Sequence, residues 1–529
     1  MRIIFILSVV TLLAAAGGLT YFHPEAGWVF LILGPLSAVG IVDLLQTRHA
    51  IRRNFPILGH FRYIFEAIRP EINQYFIESQ TDGTPFSRET RSVVYQRGKK
   101  ALDTLPFGTR LNVYDVGYEW INHSLAPTHV DPDSLRVTVG SPQCTQPYSS
   151  SILNVSAMSY GSLSRNAIEA LNGGAKIGHF SHDTGEGGLT RYHLAPGGDL
   201  VWEIGTAYFG CRTADGKFSP ERYESKAKDP RVKMIAVKLS QGAKPGHGGI
   251  LPAAKLTPEI AEIRGVPLGF DVISPPAHSA FSTPIEFLEF LARLRDLSGG
   301  KPVGFKLCVG KRREFVAIGK AILKTGIYPD FITVDGGEGG TGAAPLEFSN
   351  SVGTPLKEGL VFVHNTLVGF GIRQHIKILC SGKIVTGFDI VAKLALGADI
   401  CNSARAMMLA LGCIQALRCN TNRCPTGVAT QDPQLVAGLV VQDKKTRVAN
   451  YHRETVKSVA ELMGAMGVSR TSDLHPWHLM KRTGLTETKH HGELYEFLSE
   501  GDLLKSPVPT SFSRAFLAAS ADSFHSENA

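Results

Sequence analysis

Short apolar runs rich in β-branched residues alternate with amphipathic runs from about residue 151, and this alternation is the feature that most constrains the fold. The apolar runs predict strands at 151–159, 233–240, 301–310, 330–337, 375–384 and 398–407. The amphipathic runs predict helices at 163–178, 284–297, 314–326 and 386–397. Strands that are each followed by a helix form a parallel sheet. The number of units and their span favour an α/β fold of the (β/α)8 barrel type over an open sheet.

Polar and glycine residues follow the predicted strands, at the end of a barrel that carries chemistry. The last two units supply Ser381, Gly382 and Lys383, and then Ser403, Ala404 and Arg405. Small residues at a strand end, before a helix N-terminus, offer backbone N–H groups and a helix dipole to a phosphate. Two ordinary strand-to-helix turns are the alternative interpretation.

Lys306 places a charge inside the apolar run GFKLC. A lysine that points into a barrel mouth needs an anion or a cofactor edge as its partner, and a reduced flavin carries negative charge at its N1/O2 edge. A lysine that reaches solvent from an edge strand is the alternative. Nearby, the run 237–249 supplies Lys238, Gln241 and Lys244, which suit a dicarboxylate or a flavin rim.

Two glycine-rich segments would let backbone approach a flat ligand. One is DGGEGGTGAAP at 335–345, which begins with Asp335, Gly336 and Gly337. The other is DTGEGGL at 183–189, in which Glu186 is the carboxylate between glycines. A flexible loop would show the same composition.

Three cysteines, Cys413, Cys419 and Cys424, have the spacing C-x5-C-x4-C, and Pro425 follows them. Zinc usually takes four ligands, and neither a histidine nor a fourth cysteine lies near enough in the sequence to supply one. Thiolates also hold iron–sulfur clusters, and three of them predict a cluster with one iron fewer than usual. Buried thiols are the alternative. The other five cysteines are dispersed, as buried thiols in a reducing compartment are.

Two apolar runs begin the chain, from Ile3 to Phe22 and from Trp28 to about Leu45. Arg2 precedes the first run, and Arg48, His49, Arg52 and Arg53 follow the second. Each run is about long enough to span a bilayer, and the flanking charge predicts a transmembrane hairpin with both ends in the cytoplasm. A signal peptide is the alternative, because AAAGG at 14–18 resembles a cleavage region. The second run favours the hairpin, and thus an inner-membrane protein with its barrel in the cytoplasm.

These patterns predict four regions: a membrane anchor over 1–50, a mostly helical connector over 51–150, the barrel over 151–470 and a C-terminal extension over 471–529. The serine-rich end from about Ser506 is expected to be poorly ordered. The net charge is +8, but no basic stripe with interleaved aromatic residues is present, so nucleic acid is not an expected partner.

Several motifs together resemble the FMN-binding synthase domain of glutamate synthases. SAMSYGSLS, DTGEGG, KLSQGAKPGHGG, ISPPAHSAFST, DGGEGGTGAAP and GCIQALRCNTNRCPTGVATQ occur in the order seen in that family, from about Ser151 to Gln431. The resemblance implies a (β/α)8 barrel that holds FMN and a [3Fe–4S] cluster. It assigns the cluster to the three cysteines and the flavin contacts to Ala157, Met158, Ser159 and Lys306. It assigns the oxoacid contacts to Lys238, Gln241 and Lys244, and we add Glu186 to this predicted catalytic set.

The chain departs from the family pattern at one motif. The family run KPGEGGQLP reads KPGHGGILP here, so His247 replaces a glutamate and Ile250 replaces a glutamine that helps to hold 2-oxoglutarate. The resemblance covers neither an amidotransferase domain nor a C-terminal glycine-repeat domain, and it is greatest to short, membrane-anchored members of the family. We therefore expect ammonia to arrive free or from a separate glutaminase subunit.

The sequence thus predicts an FMN-dependent oxidoreductase acting on CH–NH2 donors, which reductively aminates 2-oxoglutarate or a related oxoacid to glutamate. Synthesis of an N-substituted glutamate is one alternative. A membrane-associated electron-transfer protein without amino-acid chemistry is another. A separate electron-donor subunit is a further expected partner.

Overall fold

The computed structural model describes residues 1–525 of the 529, and these form two compact units that divide between Arg88 and Glu89. The first unit contains the helices Arg2–Phe22, Phe30–Leu45, Ala50–Asn54 and Gly59–Ile72, with a 3-10 turn Pro24–Val29 and a π turn Asn73–Ile77. The segments Arg2–Phe22 and Pro24–Leu45 are long and apolar enough to cross a membrane, judged by length and composition. The two predicted apolar helices are therefore confirmed as helices.

The second unit is built on a closed barrel of eight parallel strands, which confirms the predicted fold class. We number its strands β1 (Leu153–Val155), β2 (His182–Asp183), β3 (Leu200–Ile204), β4 (Val232–Lys238), β5 (Val303–Leu307), β6 (Phe331–Asp335), β7 (Lys377–Ser381) and β8 (Ile400–Ser403). Each strand pairs with the next along the chain, and β8 closes on β1 in the register Cys401 to Leu153. The sequence patterns missed β2 and β3, because β2 has two residues and Glu203 interrupts the apolar run of β3.

Helices surround the barrel and follow its strands. They span Arg165–Gly178, Arg191–Leu194, Pro220–Ala227, Pro258–Arg264, Pro284–Leu297, Arg312–Thr325, Leu346–Ser351, Leu356–Gly369, Gly387–Ala395 and Arg405–Leu411. Further helices are Arg88–Lys99, Pro433–Ala437, Val441–Ala465, His491–Leu494 and Thr510–Ala518. Glycine permits the closest of these helix contacts, because a Cβ atom at Gly174 would lie 2.6 Å from Cγ1 of Val448.

The lower part of the barrel interior is apolar. Met234, Phe331, Leu379 and Ile400 are buried there in one cluster with Val139 and Tyr148. The last two belong to a short antiparallel pair of strands, Arg136–Val139 and Tyr148–Ser151. Barrel proteins carry their chemistry above such apolar layers, at the C-terminal ends of the strands.

The predicted helical connector over 51–150 is helical only as far as Lys99, and its remainder carries short strands. One of them, Glu119–Ile121, pairs with Leu479–Arg482, which pairs in turn with Thr488–His490. The C-terminal extension also has defined partners, since Nζ of Lys320 donates to the carbonyl of Phe516 at 2.6 Å. The expected poor order from Ser506 therefore does not describe 506–525. The last four residues lie outside the described residues, so the expectation for the very end stays a prediction.

Candidate functional site at the barrel mouth

Glu186 and Lys238 form the centre of the polar mouth of the barrel. Glu186 lies in the loop after β2 and Lys238 ends β4, and Oε1 of Glu186 is 2.7 Å from Nζ of Lys238. Glycines enclose the carboxylate, because a Cβ atom at Gly249 would lie 2.2 Å from Oε1 and one at Gly205 would lie 2.9 Å from Oε2. The glycine-rich runs thus give Glu186 the space it occupies. Burial raises the pKa of Glu186, but nearby lysines lower it by more, so the pKa lies below its ordinary value and this carboxyl is ionised.

Two further cations lie within electrostatic range of Glu186. Nζ of Lys244 donates to the carbonyl of Ala343 at 2.8 Å, and Nη2 of the buried Arg264 donates to the carbonyl of Tyr160 at 3.1 Å. Burial lowers the pKa of Lys244 to about 8 and that of Arg264 to about 10, and Glu186 opposes both shifts. Three cations are therefore within electrostatic range of one carboxylate, and together they carry more positive charge than Glu186 balances, which favours an anion.

The predicted oxoacid residues are thus partly brought together. Lys238, Lys244 and Glu186 share one location, and Gln241 lies partly buried in the loop that joins the two lysines. Sequence reasoning missed Arg264, which ends the helix Pro258–Arg264. Its signal would have been a charged residue on the buried face of an otherwise amphipathic helix.

Lys306 of β5 forms a second buried ion pair, with Glu203 of β3. Burial lowers the pKa of Lys306, but Glu203, Asp335 and Asp183 together raise it above its ordinary value. Burial and Glu203 raise the pKa of Asp183 well above its usual range, although Lys306 opposes them. Sequence reasoning missed Glu203 and Asp183, although Glu203 interrupts LVWEI in the same way that Lys306 interrupts GFKLC.

The predicted flavin-contacting segments lie at neighbouring strand ends. Ala157, Met158 and Ser159 follow β1, and the loop after β2 lies against them, since a Cβ atom at Gly185 would lie 2.7 Å from the nitrogen of Ser159. The N–H of Gly336 donates to the carbonyl of Ser381 at 2.8 Å, and that of Gly337 donates to the carbonyl of Thr354 at 2.8 Å. Those two amides therefore donate hydrogen bonds within the protein.

The ends of β7 and β8 offer donors of the kind that a phosphate needs. Within the part of the chain that the structure describes, the N–H groups of Gly382, Lys383 and Ala404 donate no hydrogen bond. Lys383 has a left-handed backbone, with φ of 53°, which turns this segment sharply after β7. Ser403 donates from Oγ to the carbonyl of Ile384 at 2.7 Å and so holds the two strand ends together. The chemistry of these donors fits a phosphate.

The three cysteines lie within electrostatic range of one another. Burial raises the pKa of Cys413 to about 12, with additional contributions from Cys419 and Cys424. Nζ of the buried Lys255 donates to the carbonyl of Cys419 at 3.3 Å. Among residues 1–525, no group of three or more His, Cys, Asp or Glu is placed to hold a metal ion. The thiols thus share one neighbourhood and have the chemistry of cluster ligands, without the geometry of a formed ligand set.

The fold and the mouth residues define a (β/α)8 barrel protein with buried lysine–glutamate ion pairs near the C-terminal ends of its strands. Residues 130–469 match the family model described as a conserved region in glutamate synthase, and the chain belongs to the glutamate synthase family.

Curated relatives agree with this assignment. The chain is 38% identical to the glutamate synthase large subunit-like protein YerD of Bacillus subtilis, over 84% of this chain and 91% of that protein. It is 34% identical to the archaeal glutamate synthase (NADPH) of Methanocaldococcus jannaschii, over 60% of each chain. It is 32% identical to the glutamate synthase (NADPH) large chain of Bacillus subtilis, over 60% of this chain and 21% of that one. The chain therefore spans about three fifths of the archaeal relative and about a fifth of the large chain.

Proposed function

We propose that the barrel is an FMN- and iron–sulfur-dependent oxidoreductase that reductively aminates 2-oxoglutarate, or a related 2-oxoacid, to the amino acid. The observation that carries this proposal is the surplus of cations around Glu186. Lys238 is neutralised by Glu186 at 2.7 Å, whereas Lys244 and Arg264 remain for the carboxylates of a dicarboxylic substrate. The names of the relatives support glutamate as the product.

In the proposed reaction the oxoacid carbonyl condenses with ammonia to an imine and releases water. Addition of a hydride to the imine carbon and a proton to its nitrogen then gives the amine. The residues of this chain orient the oxoacid through its carboxylates and hold charge at fixed positions. Ammonia comes from outside the chain, either free or from a separate glutaminase.

FMN would supply the hydride when bound, and the barrel mouth contains residues that fit it. The unengaged N–H groups of Gly382, Lys383 and Ala404 would hold the phosphate. Ala157 to Ser159 would lie beside the ring, as the resemblance implies. Below them, Lys306 would face the N1/O2 edge while remaining paired with Glu203.

Cys413, Cys419 and Cys424 would hold an iron–sulfur cluster that supplies electrons. The mutual influence of their thiols supports one shared location, and the buried ammonium of Lys255 beside them would offset part of the negative charge of a thiolate set.

We also propose that the two N-terminal helices anchor the protein in the cytoplasmic membrane. Their length and composition support this, as does the positive charge that follows the second helix. Both chain ends, and hence the barrel, would then face the cytoplasm. The full chain should float with lipid vesicles in a density gradient and resist extraction at alkaline pH.

Anaerobic spectroscopy of the purified protein tests the reaction. Chemically reduced flavin should be reoxidised by 2-oxoglutarate only when ammonia is present, and 15N from labelled ammonia should appear in glutamate. Omitting ammonia is the control. Reoxidation by a quinone or a protein acceptor, with no labelled amino acid formed, would contradict the proposal and favour an electron-transfer protein. Reoxidation only by an oxoacid with a substituted amine would favour synthesis of an N-substituted glutamate.

A further inference from the structure

The helix Gly59–Ile72 carries an apolar stripe that faces away from its own unit. Phe61, Ile64, Phe65 and Ile68 recur at the spacing of one helix face, and they are 52%, 51%, 59% and 41% exposed. A contiguous exposed apolar stripe marks a surface that a membrane or another protein covers. The stripe continues into the π turn, where Phe76 is 84% exposed.

The opposite face of this helix is already engaged. Nε2 of His60 is 2.8 Å from Oδ2 of Asp43, and the hydroxyl of Tyr63 is 3.3 Å from Nδ1 of His49. The guanidinium of Arg52 lies 4.4 Å from the centroid of the Tyr63 ring. The helix therefore packs on the segment after the second apolar helix through His60 and Tyr63, and its apolar stripe is not a packing face of this unit.

Asp43 fixes the start of the helix Gly59–Ile72, the amphipathic helix, relative to the end of the second apolar helix. It is 3% exposed and lies in the last turn of the helix Phe30–Leu45. Its carboxylate accepts from the N–H of Ile57 at 3.0 Å as well as bonding to His60. The first turn of the amphipathic helix is thus tied to the cytoplasmic end of the second apolar helix. If that helix spans a bilayer, this point lies at the boundary between acyl chains and headgroups.

The charge of the segment matches an anionic membrane surface. Residues 46–77 contain five arginines and two glutamates. Arg62 and Arg69 belong to the amphipathic helix itself, and long basic side chains beside an apolar stripe can extend to headgroups while the stripe enters the acyl region.

We propose that the helix Gly59–Ile72 lies in the membrane interface, with Phe61, Ile64, Phe65 and Ile68 among the acyl chains and Arg62 and Arg69 at anionic phospholipid headgroups. This inference rests on the proposed membrane attachment. It adds a lipid-binding surface beside the anchor. Continuity with the apolar helices and the excess of arginine favour a bilayer over a protein partner as the occupant.

The test uses the full chain in vesicles of phosphatidylcholine and phosphatidylglycerol. The variant Phe65→Trp adds fluorescence to that of the four native tryptophans. Phosphatidylcholine brominated on its acyl chains should remove most of this added signal. The matched control is Tyr63→Trp, on the engaged face of the same helix, whose added signal should survive.

A second arm tests the headgroup chemistry. Brominated phosphatidylglycerol at a minor fraction should quench Phe65→Trp more than the same fraction of brominated phosphatidylcholine. Each arginine near an anionic membrane surface strengthens binding to that surface by roughly fivefold. Adding Arg62→Gln and Arg69→Gln should therefore remove most of that preference.

Flotation of the same samples separates the two proposals. Protein that floats, with Phe65→Trp unquenched, would overturn the interfacial helix and leave the anchor standing. Quenching without a preference for phosphatidylglycerol would overturn the headgroup assignment. Protein that fails to float would overturn both the anchor and the helix.

Discussion

Lys306 of β5 and Glu203 of β3 form a buried ion pair across the barrel interior, although β4 lies between their strands. Both side chains must point inward to meet, and they are 4% and 1% exposed. Asp183 and Asp335 lie close enough to shift the pKa of the same lysine. The positive charge expected at the flavin edge is therefore one member of a buried network.

Removal of Lys306 should destabilise the barrel. The change Lys306→Met leaves Glu203 buried without its cation, which typically costs about 3–5 kcal/mol. We expect the free energy of unfolding to fall by about that amount in denaturant titrations of detergent-solubilised protein. The double variant Lys306→Met with Glu203→Gln should recover most of the loss, since residue 203 then carries no unpaired charge. A single variant as stable as the parent would show that the pair does not form.

The same substitution should change the flavin. A cation near the N1/O2 edge favours the anionic reduced form, so its loss should lower the midpoint potential of bound FMN. In the double variant the negative charge of Glu203 is removed as well, so its midpoint potential should fall less than that of the single variant. An unchanged potential of the single variant in flavin-loaded protein would mean that the negative charge of Glu203 already cancels the effect of Lys306 on the flavin.

Most of the barrel could be predicted from the sequence, because most of its strands and helices show their patterns in short stretches of sequence. Six of its strands are apolar runs that precede amphipathic helices, so the alternation alone identifies them. The strand β2 is two residues long, too short to show an alternation of apolar and polar residues, and Glu203 interrupts the apolar run of β3. Neither strand was therefore predicted, and Asp183 and Glu203 were both missed. Arg264 was missed because its approach to Glu186 is set by the tertiary fold of the segment after β4.

The three cysteines can be tested by substitution. Thiolate is the ligand that an iron–sulfur cluster requires, so Cys413→Ser, Cys419→Ser and Cys424→Ser should each lose iron, acid-labile sulfide and the EPR signal of the cluster. Cys211→Ser is the matched control, because this cysteine is fully buried elsewhere in the barrel unit. Full retention of iron in all three variants would reject the assignment.

Binding of the oxoacid should weaken at alkaline pH. Burial lowers the pKa of Lys244 to about 8, against the attraction of Glu186. The ammonium form is present below that pKa, so binding is strongest there and is lost as the pH rises through it. The Kd should then rise by up to roughly tenfold per pH unit, as expected for the loss of one proton. Titration of flavin absorbance with 2-oxoglutarate measures this without ammonia.

Lys244→Arg is the control for that dependence, because a guanidinium stays charged throughout the range. Its Kd should stay flat from neutral pH to about pH 9, above which Arg264, with a pKa of about 10, begins to lose its proton. A wild-type Kd that is equally flat would show that Lys244 does not contact the anion.

Gly249→Ala should displace Glu186 without removing a charge. The new Cβ atom would lie 2.2 Å from Oε1, so the carboxylate must move from its position 2.7 Å from Nζ of Lys238. We expect kcat to fall by roughly 100-fold, the usual cost of misplacing a positioned group. Oxoacid binding should persist, because Lys238 is released. Gly310→Ala is the control, since a Cβ atom there meets nothing within 4 Å. Equal kcat in both variants would contradict a role for Glu186.

Ile250 should limit the use of 2-oxoglutarate. It follows Gly249, which packs against Glu186, and it pairs with Ile273 in a short antiparallel ladder. A buried carboxylate needs donors, and isoleucine offers none at the position where the family pattern has an amide. One charge-assisted hydrogen bond is worth about 1.5–3 kcal/mol, or roughly 10- to 150-fold in affinity. Ile250→Gln should therefore improve 2-oxoglutarate as an oxidant of the reduced flavin by up to that factor, and leave shorter oxoacids unchanged.

The matched control is Ile273→Gln, which places the same amide on the facing strand, where the parent side chain is 65% exposed. It should change the use of neither 2-oxoglutarate nor shorter oxoacids, because an amide that is already hydrogen-bonded to water gains little from a carboxylate. Lys244 and Arg264 are intact in both variants, so anion binding itself should survive and only the selectivity should move. If wild-type protein already turns over 2-oxoglutarate efficiently and Ile250→Gln has no effect, the distal carboxylate does not lie beside this position, and His247 at the same loop becomes the residue to test.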